Sequence, residues 1–76
     1  MDMRKLVGRN LRNCRTGAGL TQEQLAERSG FSQQYISELE AGRRNPTIVS
    51  LYELAQALGT TPVVLITPDK DALVKG

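Results

Sequence analysis

Apolar residues recur every three or four positions along much of this chain, which is the spacing of a buried helix face. The first such segment predicts a helix over residues 3–17, with Gly17 and Gly19 at its end. Its apolar positions are Leu6, Val7, Leu11, Cys14 and Ala18. Gly8 lies inside this helix and costs about 1 kcal/mol relative to alanine, a cost for which close approach by another helix would compensate.

Two shorter helices follow. Thr21 is a good N-cap, and Gln24 three residues later completes a capping box. The pattern predicts a helix over residues 22–28 with Leu25 and Ala26 facing inward.

Gly30 marks a tight turn after this helix, because glycine adopts the left-handed backbone conformation without strain. Ser32 then caps a second short helix that ends at about Glu40, with Ile36 and Leu39 facing inward. The sequence therefore predicts a helix, a tight turn and a second helix in immediate succession.

The remaining helical segments begin at clear start signals. Thr47 caps a fourth helix that ends at Gly59, and Pro62 opens a short fifth one at the first helical position. The apolar face predicted for the fourth helix consists of Ile48, Leu51, Leu54, Ala55 and Leu58.

No segment shows the alternation of a β-strand, and no internal repeat is present. The prediction is an all-α fold of five helices in one domain, residues 1–66, followed by a short C-terminal tail, residues 67–76. Leu73 and Val74 are the apolar residues of that tail.

The net charge is only +2, but it is unevenly distributed. Residues 1–20 have a balance of +4, and residues 21–42, which contain the two short helices, have a balance of −3. Arg43 and Arg44 follow directly. Positive charge on both sides of a less basic centre suits a polyanion that is held at its edges.

Composition argues against several other classes of protein. Cys14 is the single cysteine and histidine is absent, so we expect neither an internal disulfide nor a metal site. No phosphate-binding Gly-Lys-Ser/Thr motif or catalytic cluster indicates an enzyme or a cofactor. No apolar run approaches the ~20 residues of a membrane span, and we expect a cytoplasmic protein without a signal peptide.

Three blocks carry a family resemblance: GLTQEQLA at residues 19–26, YISxLExGxRNPT at residues 35–47, and LAQALG at residues 54–59. Together they resemble the phage-repressor/Cro-type (XRE-like) helix-turn-helix family, with a match that extends from about Gly8 to Leu65. The resemblance implies a lambda-repressor-like domain that binds double-stranded operator DNA as a two-fold dimer.

The resemblance itself places base-reading residues on the third helix, at Gln33 and Gln34. The chemistry agrees, because a glutamine amide bonds adenine N6 and N7 in bidentate fashion. Ser37 and Glu38 are also expected to face the bases, because they lie one turn on from Gln33 and Gln34 on the same face of the third helix, and Ser37 is expected to reach a base or a phosphate. Glu38 has two interpretations: its carboxylate accepts a hydrogen bond from a cytosine amino group, or it repels phosphates and acts by exclusion.

The residues expected to contact DNA phosphates are Thr21, Gln22, Ser32, Tyr35, Arg43, Arg44 and Asn45. Thr21 and Gln22 also lie at a helix N-terminus, which attracts anions. The resemblance implies one further pair, Arg15 with Glu40, as a partly buried ion pair that fixes the first helix to the end of the third. This pair is structural and does not touch DNA.

The chain departs from the family pattern at two positions in the turn. Ser29 stands where a small apolar residue is common, so its hydroxyl needs a hydrogen-bond partner or solvent. Phe31 is larger than the usual aliphatic residue. Either departure is expected to change the angle of the third helix rather than the fold.

The apolar residues of the fifth helix have two interpretations. Val63, Val64 and Ile66 close the domain's own core, or they pair across a dimer axis while Leu65 faces inward. We expect a homodimer with these three residues at its interface, because a small domain gains from added burial and a two-fold operator needs two reading helices.

The predicted function is a sequence-specific transcriptional regulator that acts as a homodimer, with autoregulation. The motifs look most like those of restriction-modification controller proteins and small chromosomal regulators. The alternative is an antitoxin-like protein, which binds a partner protein through the tail or the fifth helix and autoregulates its operon.

Overall fold

The computed structural model describes residues 2–68, and within that range the chain forms α-helices and no β-strand. The helices are α1 (Met3–Gly17), α2 (Gln22–Ser29), α3 (Gln33–Glu40), α4 (Ile48–Leu58) and α5 (Pro62–Ile66). The all-α, five-helix prediction is confirmed, and α2 extends one residue further than expected. Residues 69–76 of the predicted tail, with Leu73 and Val74, lie outside the described range.

Local hydrogen bonds build the α2–turn–α3 unit. Thr21 Oγ1 accepts from the backbone N–H of Gln24 at 3.1 Å, and Gln24 Oε1 accepts from the N–H of Thr21 at 2.8 Å, which completes the predicted capping box. Gly30 has a φ of +83°, in the left-handed region that favours glycine. Ser32 Oγ accepts from the N–H of Tyr35 at 3.0 Å, so α3 begins at a fixed distance from the turn.

Ser29 and Phe31, the two residues of the turn that depart from the family pattern, both make contacts within the domain. Ser29 Oγ accepts from the backbone N–H of Phe31 at 3.3 Å. The Phe31 ring packs against the core and lies 5.0 Å, centroid to centroid, from the Tyr35 ring. The start of α3 is therefore supported by an aromatic pair.

The core lies where α1 and α2 meet the other three helices. α1 packs on α3 and α5, α2 packs on α3 and α4, and α4 packs on α5. The core residues are Val7, Leu11, Leu25, Ile36, Leu39, Leu51, Leu54, Ala55 and Leu65. Cys14 is half-buried against this core, and burial raises the pKa of its thiol. No helix in residues 2–68 is long and apolar enough to cross a bilayer.

The prediction for α4 is wrong at one position. Ile48 was expected on the buried face, but 68% of its surface is exposed, whereas Leu51 and Leu54 are buried. Ile48 is the first residue of α4. Helical spacing gives the direction of a side chain around the axis, but it does not say how far along the axis a neighbouring helix extends.

Gly8 lies where α1 meets the end of α3. A Cβ atom on Gly8 would overlap the carbonyl oxygen of Leu39 and lie 2.8 Å from that of Glu40. The close approach that would compensate for a glycine inside a helix is therefore present. It brings the backbone of α1 directly against the C-terminal turn of the predicted reading helix.

Asn10 joins α1 to the end of α5, a contact that the sequence did not predict. Its side-chain amide is buried and donates to the carbonyl oxygens of Leu65 at 3.0 Å and Thr67 at 3.1 Å. Leu65 lies in the last turn of α5, where carbonyl groups have no partner within the helix, and Thr67 is the C-cap that follows it. Asn10 thus orients α5 on α1.

Candidate nucleic-acid interface

The outward face of α3 carries the residues predicted to read bases. Gln33, Gln34 and Ser37 are exposed, and Glu38 is half-buried. The inward side chains of the same helix are buried in the core. A short, rigidly held helix with polar side chains along its outer face has the shape and chemistry that a DNA major groove accepts.

Ser32 and Tyr35 lie at the N-terminal end of this face. Ser32 Oγ already accepts the cap hydrogen bond, but a hydroxyl also donates, so its proton remains available to a phosphate oxygen. Tyr35 is half-buried, because its ring rests against Phe31. That contact limits where the Tyr35 hydroxyl can lie.

Thr21 and Gln22 at the start of α2 use their side chains within the protein. Thr21 is the cap of the helix, and Gln22 Nε2 donates to Glu40 Oε1 at 3.1 Å. The phosphate contact predicted at this position would therefore come from the free backbone N–H groups of the first helical turn and the positive end of the helix dipole.

Arg15 and Glu40 form the ion pair that the resemblance implied. Arg15 Nε donates to Glu40 Oε2 at 2.6 Å, and Nη2 donates to Oε1 at 3.0 Å. Both side chains are largely buried, with 12% and 5% of their surfaces exposed. The hydrogen bond with Glu40 raises the pKa of Arg15 above its usual value. Because Arg15 Nη1 also donates to the carbonyl of Leu20, the pair fixes α1, the approach to α2 and the end of α3.

The loop after α3 presents Arg43, Arg44 and Asn45, all of which are exposed. Arg44 is held back towards the helix: its Nε donates to Glu38 Oε2 at 3.0 Å. Its guanidinium carbon also lies 5.3 Å from the centroid of the Tyr35 ring. Two residues predicted to contact DNA, Arg44 and Glu38, are therefore bonded to each other.

These ion pairs change the charge balance of the helix-turn-helix segment. Residues 21–42 have a balance of −3, which opposes DNA binding. Glu38 and Glu40 are paired with Arg44 and Arg15, which lie outside that segment. The negative charges of Glu38 and Glu40 are thus balanced by the arginines beside them. The remaining basic residues on either side of the segment then contribute most to the attraction of DNA over longer distances.

Sequence reasoning missed two basic residues of α1 that lie beside the predicted phosphate contacts. Arg12 lines a polar groove of about 240 Å³ together with Gln22 and Ser37. Lys5 packs against Gly42, at the start of the basic loop. The sequence does indicate that Arg12 lies near the ion pair, because it precedes Arg15 by one helical turn and so shares its face of α1.

Apart from Met3 on α1, the exposed large apolar side chains of the described residues form two groups, one on α5 and one on α4. Val63, Val64 and Ile66 on α5 are the residues predicted for the dimer interface, and all three are exposed while Leu65 is fully buried. The second group, which the sequence did not indicate, consists of Ile48, Val49 and Tyr52 on α4.

The capped α2–turn–α3 unit, its polar outer face and the flanking basic residues define a helix-turn-helix DNA-binding domain. Residues 11–65 match the family model described as helix-turn-helix. The chain belongs to this family, as the sequence resemblance indicated, and it is a DNA-binding transcriptional regulator of the XRE type.

Individual relatives are also transcriptional regulators or controller proteins. An uncharacterised HTH-type transcriptional regulator of Sinorhizobium fredii, y4dJ, is 66% identical over 90% of this chain and 88% of its own length. Control protein C.SmaI of Serratia marcescens is 42% identical over 88% of this chain and 80% of its own. The crystal structure of the restriction-modification controller protein C.AhdI from Aeromonas hydrophila superposes with a TM-score of 0.79 and 40% identity, over 82% of this chain and 94% of that one.

Proposed function

We propose that this protein is a homodimeric transcriptional regulator that binds a two-fold symmetric operator and regulates its own promoter. The observation that carries the proposal is the exposed polar face of α3, which two buried anchors, Gly8 and the Arg15–Glu40 pair, fix on α1. In a dimer, two such helices about 34 Å apart would enter successive major grooves on one side of the duplex.

In this proposal Gln33 and Gln34 read adenines through bidentate amide hydrogen bonds, and Ser37 contacts a base or a phosphate one turn further along α3. The phosphate contacts come from both ends of the unit: the first turn of α2, the Ser32 and Tyr35 hydroxyls, and the loop of Arg43, Arg44 and Asn45. Phosphate contacts on both sides fix the register of α3, and base contacts then give sequence preference.

The proposed dimer forms through Val63, Val64 and Ile66. Their exposure supports this, because apolar side chains grouped on one short helix gain from burial against a second copy. α5 packs chiefly on α1 and α4, whereas α3 packs chiefly on α1 and α2, so an interface at α5 leaves the reading face open.

Autoregulation is proposed from the likeness to controller proteins, since C.SmaI is a control protein and C.AhdI a restriction-modification controller. Dimerisation would then make operator occupancy depend steeply on protein concentration. This activity places the protein in the cytoplasm with the DNA. The antitoxin-like alternative requires a partner-binding surface on the tail or on α5. Most of the tail lies outside the described residues, whereas α5 presents the exposed Val63, Val64 and Ile66.

The test is to incubate the purified protein with sheared genomic DNA of its source, recover the bound fragments and sequence them. We expect enrichment of a short two-fold symmetric site upstream of its own or an adjacent gene. Fragments that are no more enriched than random DNA at moderate salt would contradict the proposal and direct attention to a protein partner.

Substitutions on that operator separate the two kinds of contact. Gln33→Ala or Gln34→Ala is expected to lose about 1–3 kcal/mol on the operator and much less on random DNA. Arg43→Ala is expected to weaken binding to every sequence alike and to reduce the salt slope by about one. Equal losses on both DNAs for the glutamine variants, or an unchanged slope for Arg43→Ala, would remove the assigned role.

A further inference from the structure

Tyr35, Glu38 and Arg44 form a cluster at the edge of the reading face. Arg44 Nε donates to Glu38 Oε2 at 3.0 Å, and its guanidinium lies over the Tyr35 ring with 5.3 Å between the guanidinium carbon and the ring centroid. Half of the Arg44 side-chain surface and 28% of that of Glu38 are exposed. The cluster therefore joins one predicted base-reading residue to two predicted phosphate contacts.

The Glu38 carboxylate accepts a hydrogen bond from the Arg44 guanidinium that a DNA phosphate could accept in its place. A guanidinium group binds a carboxylate or a phosphate through the same planar set of N–H donors. An exposed ion pair of this kind is weak, so a DNA phosphate can displace the carboxylate at little cost. What limits the exchange is the carboxylate itself, which needs a new hydrogen-bond donor once Arg44 has left it.

We propose that Glu38 gates Arg44, so that the phosphate contact of Arg44 depends on the base pair opposite Glu38. On an operator with a suitably placed cytosine, the exocyclic amino group donates to the Glu38 carboxylate and Arg44 turns to the phosphate. On DNA that presents no base amino group at this position, Glu38 has no donor from the bases and keeps Arg44. This inference rests on the proposed function, because it assumes that α3 reads bases.

Arg43 provides an internal comparison. It is exposed in the same loop, and no hydrogen bond or ion pair of its side chain is seen within residues 2–68. Arg43 is thus expected to contact phosphate on any DNA, while Arg44 does so selectively. Two adjacent arginines with different dependence on Glu38 give a matched pair for the test.

The experiment measures Glu38→Gln on random duplex DNA and on the selected operator, over a range of salt concentrations. Glutamine keeps the size of the side chain but releases Arg44 from the charge. On random DNA we expect affinity to rise roughly threefold to fivefold and the salt slope to steepen by about 0.9, the value for one added phosphate contact. The ratio of operator to random affinity is expected to fall roughly tenfold. Glu53→Gln, an exposed carboxylate on α4 with the same change of charge, is the control.

The same substitution is then made in two arginine backgrounds. With Arg44→Ala present, Glu38→Gln is expected to leave the salt slope unchanged, whereas with Arg43→Ala present it steepens the slope as in the parent protein. A full effect in the Arg44→Ala background would mean that Glu38 only repels DNA, and would overturn the gate. An unchanged slope for the single Glu38→Gln variant would overturn it equally.

Site selection with Glu38→Gln gives an independent readout. We expect one position in each half-site to lose its preference for a C·G pair while the other positions keep theirs. An unchanged selected site would overturn the gate without affecting the proposed function. Failure of the parent protein to select any site would instead contradict the proposed function, and the slopes on random DNA would still decide whether Glu38 holds Arg44.

Discussion

Single residues of α1 determine how closely α3 packs against it. Gly8 has no side chain, so the last carbonyl groups of α3 lie directly against the α1 backbone. Arg15, two turns further along, binds Glu40 at the same end of α3. Breaking a largely buried ion pair by removing one partner is costly because the other charge stays in place. The position of α3 therefore depends on residues that do not belong to the helix-turn-helix segment.

Gly8→Ala is expected to lower the free energy of unfolding by about 1–3 kcal/mol, because its methyl group would overlap backbone atoms of α3 that cannot move independently. Urea denaturation at a fixed protein concentration measures this. Gly17→Ala is the control: apart from its chain neighbours and the backbone of its own helix, no atom lies within 4 Å of its Cβ position, so the better helix propensity of alanine is expected to leave stability equal or higher. A Gly8→Ala variant as stable as the parent would mean that the contact is not tight.

The helices themselves are short, and their ends are set mainly by local chemistry. The Thr21 capping box, the Gly30 turn and the Ser32 cap are all recognisable in the sequence, since each depends on residues within three or four positions. α5 differs, because Thr61 makes no side-chain cap hydrogen bond and the helix has five residues. Such a helix is marginal by itself, so its position depends on tertiary contacts, above all Asn10.

Asn10→Ala is expected to cost about 1–3 kcal/mol, since two carbonyl oxygens at the end of α5 lose their donor. Asn13→Ala, at an exposed position on the same helix, is expected to change stability by less than about 0.5 kcal/mol. Thermal unfolding of the two variants at equal concentration makes the comparison. Similar melting temperatures for both would show that Asn10 does not hold α5.

At the scale of the whole molecule, two groups of exposed apolar residues compete as the site of self-association. Val63, Val64 and Ile66 lie on α5, and Ile48, Val49 and Tyr52 lie on α4. A single charged substitution in each group can separate them. Val63 and Val49 are well matched, because each is the second residue of its helix and both are more than half exposed.

Val63→Asp is expected to shift the protein from dimer to monomer in sedimentation equilibrium and to lose operator binding at low concentration. Val49→Asp is expected to remain dimeric. Aspartate is equally favourable in the first turn of both helices, so the fold is affected alike. Dissociation of the Val49→Asp variant alone would move the interface to α4, and dimers in both variants would leave α5 without a role in association.

The sequence by itself determined the class of fold, the helix boundaries to within about one residue, and the family. Caps, glycines and apolar spacing act over a few residues, so they are visible in a linear string and agree with the structure from Met3 to Ile66. The family that the three sequence blocks indicated is likewise confirmed, since residues 11–65 match the helix-turn-helix model. The residues predicted to touch DNA remain predictions.

Apart from the Arg15–Glu40 pair, which the family resemblance implied, only the tertiary structure decided which distant side chains meet. Asn10 bonds the end of α5 from 55 residues away, and neither spacing nor capping indicates such a contact. Ile48 is exposed because the neighbouring helices do not cover the start of α4, a matter of their length and position rather than of the α4 pattern. The pairing of Glu38 with Arg44 depends on how the loop after α3 folds back. Apolar spacing indicates which face of a helix is buried, and the packing of the other helices decides what that face contacts.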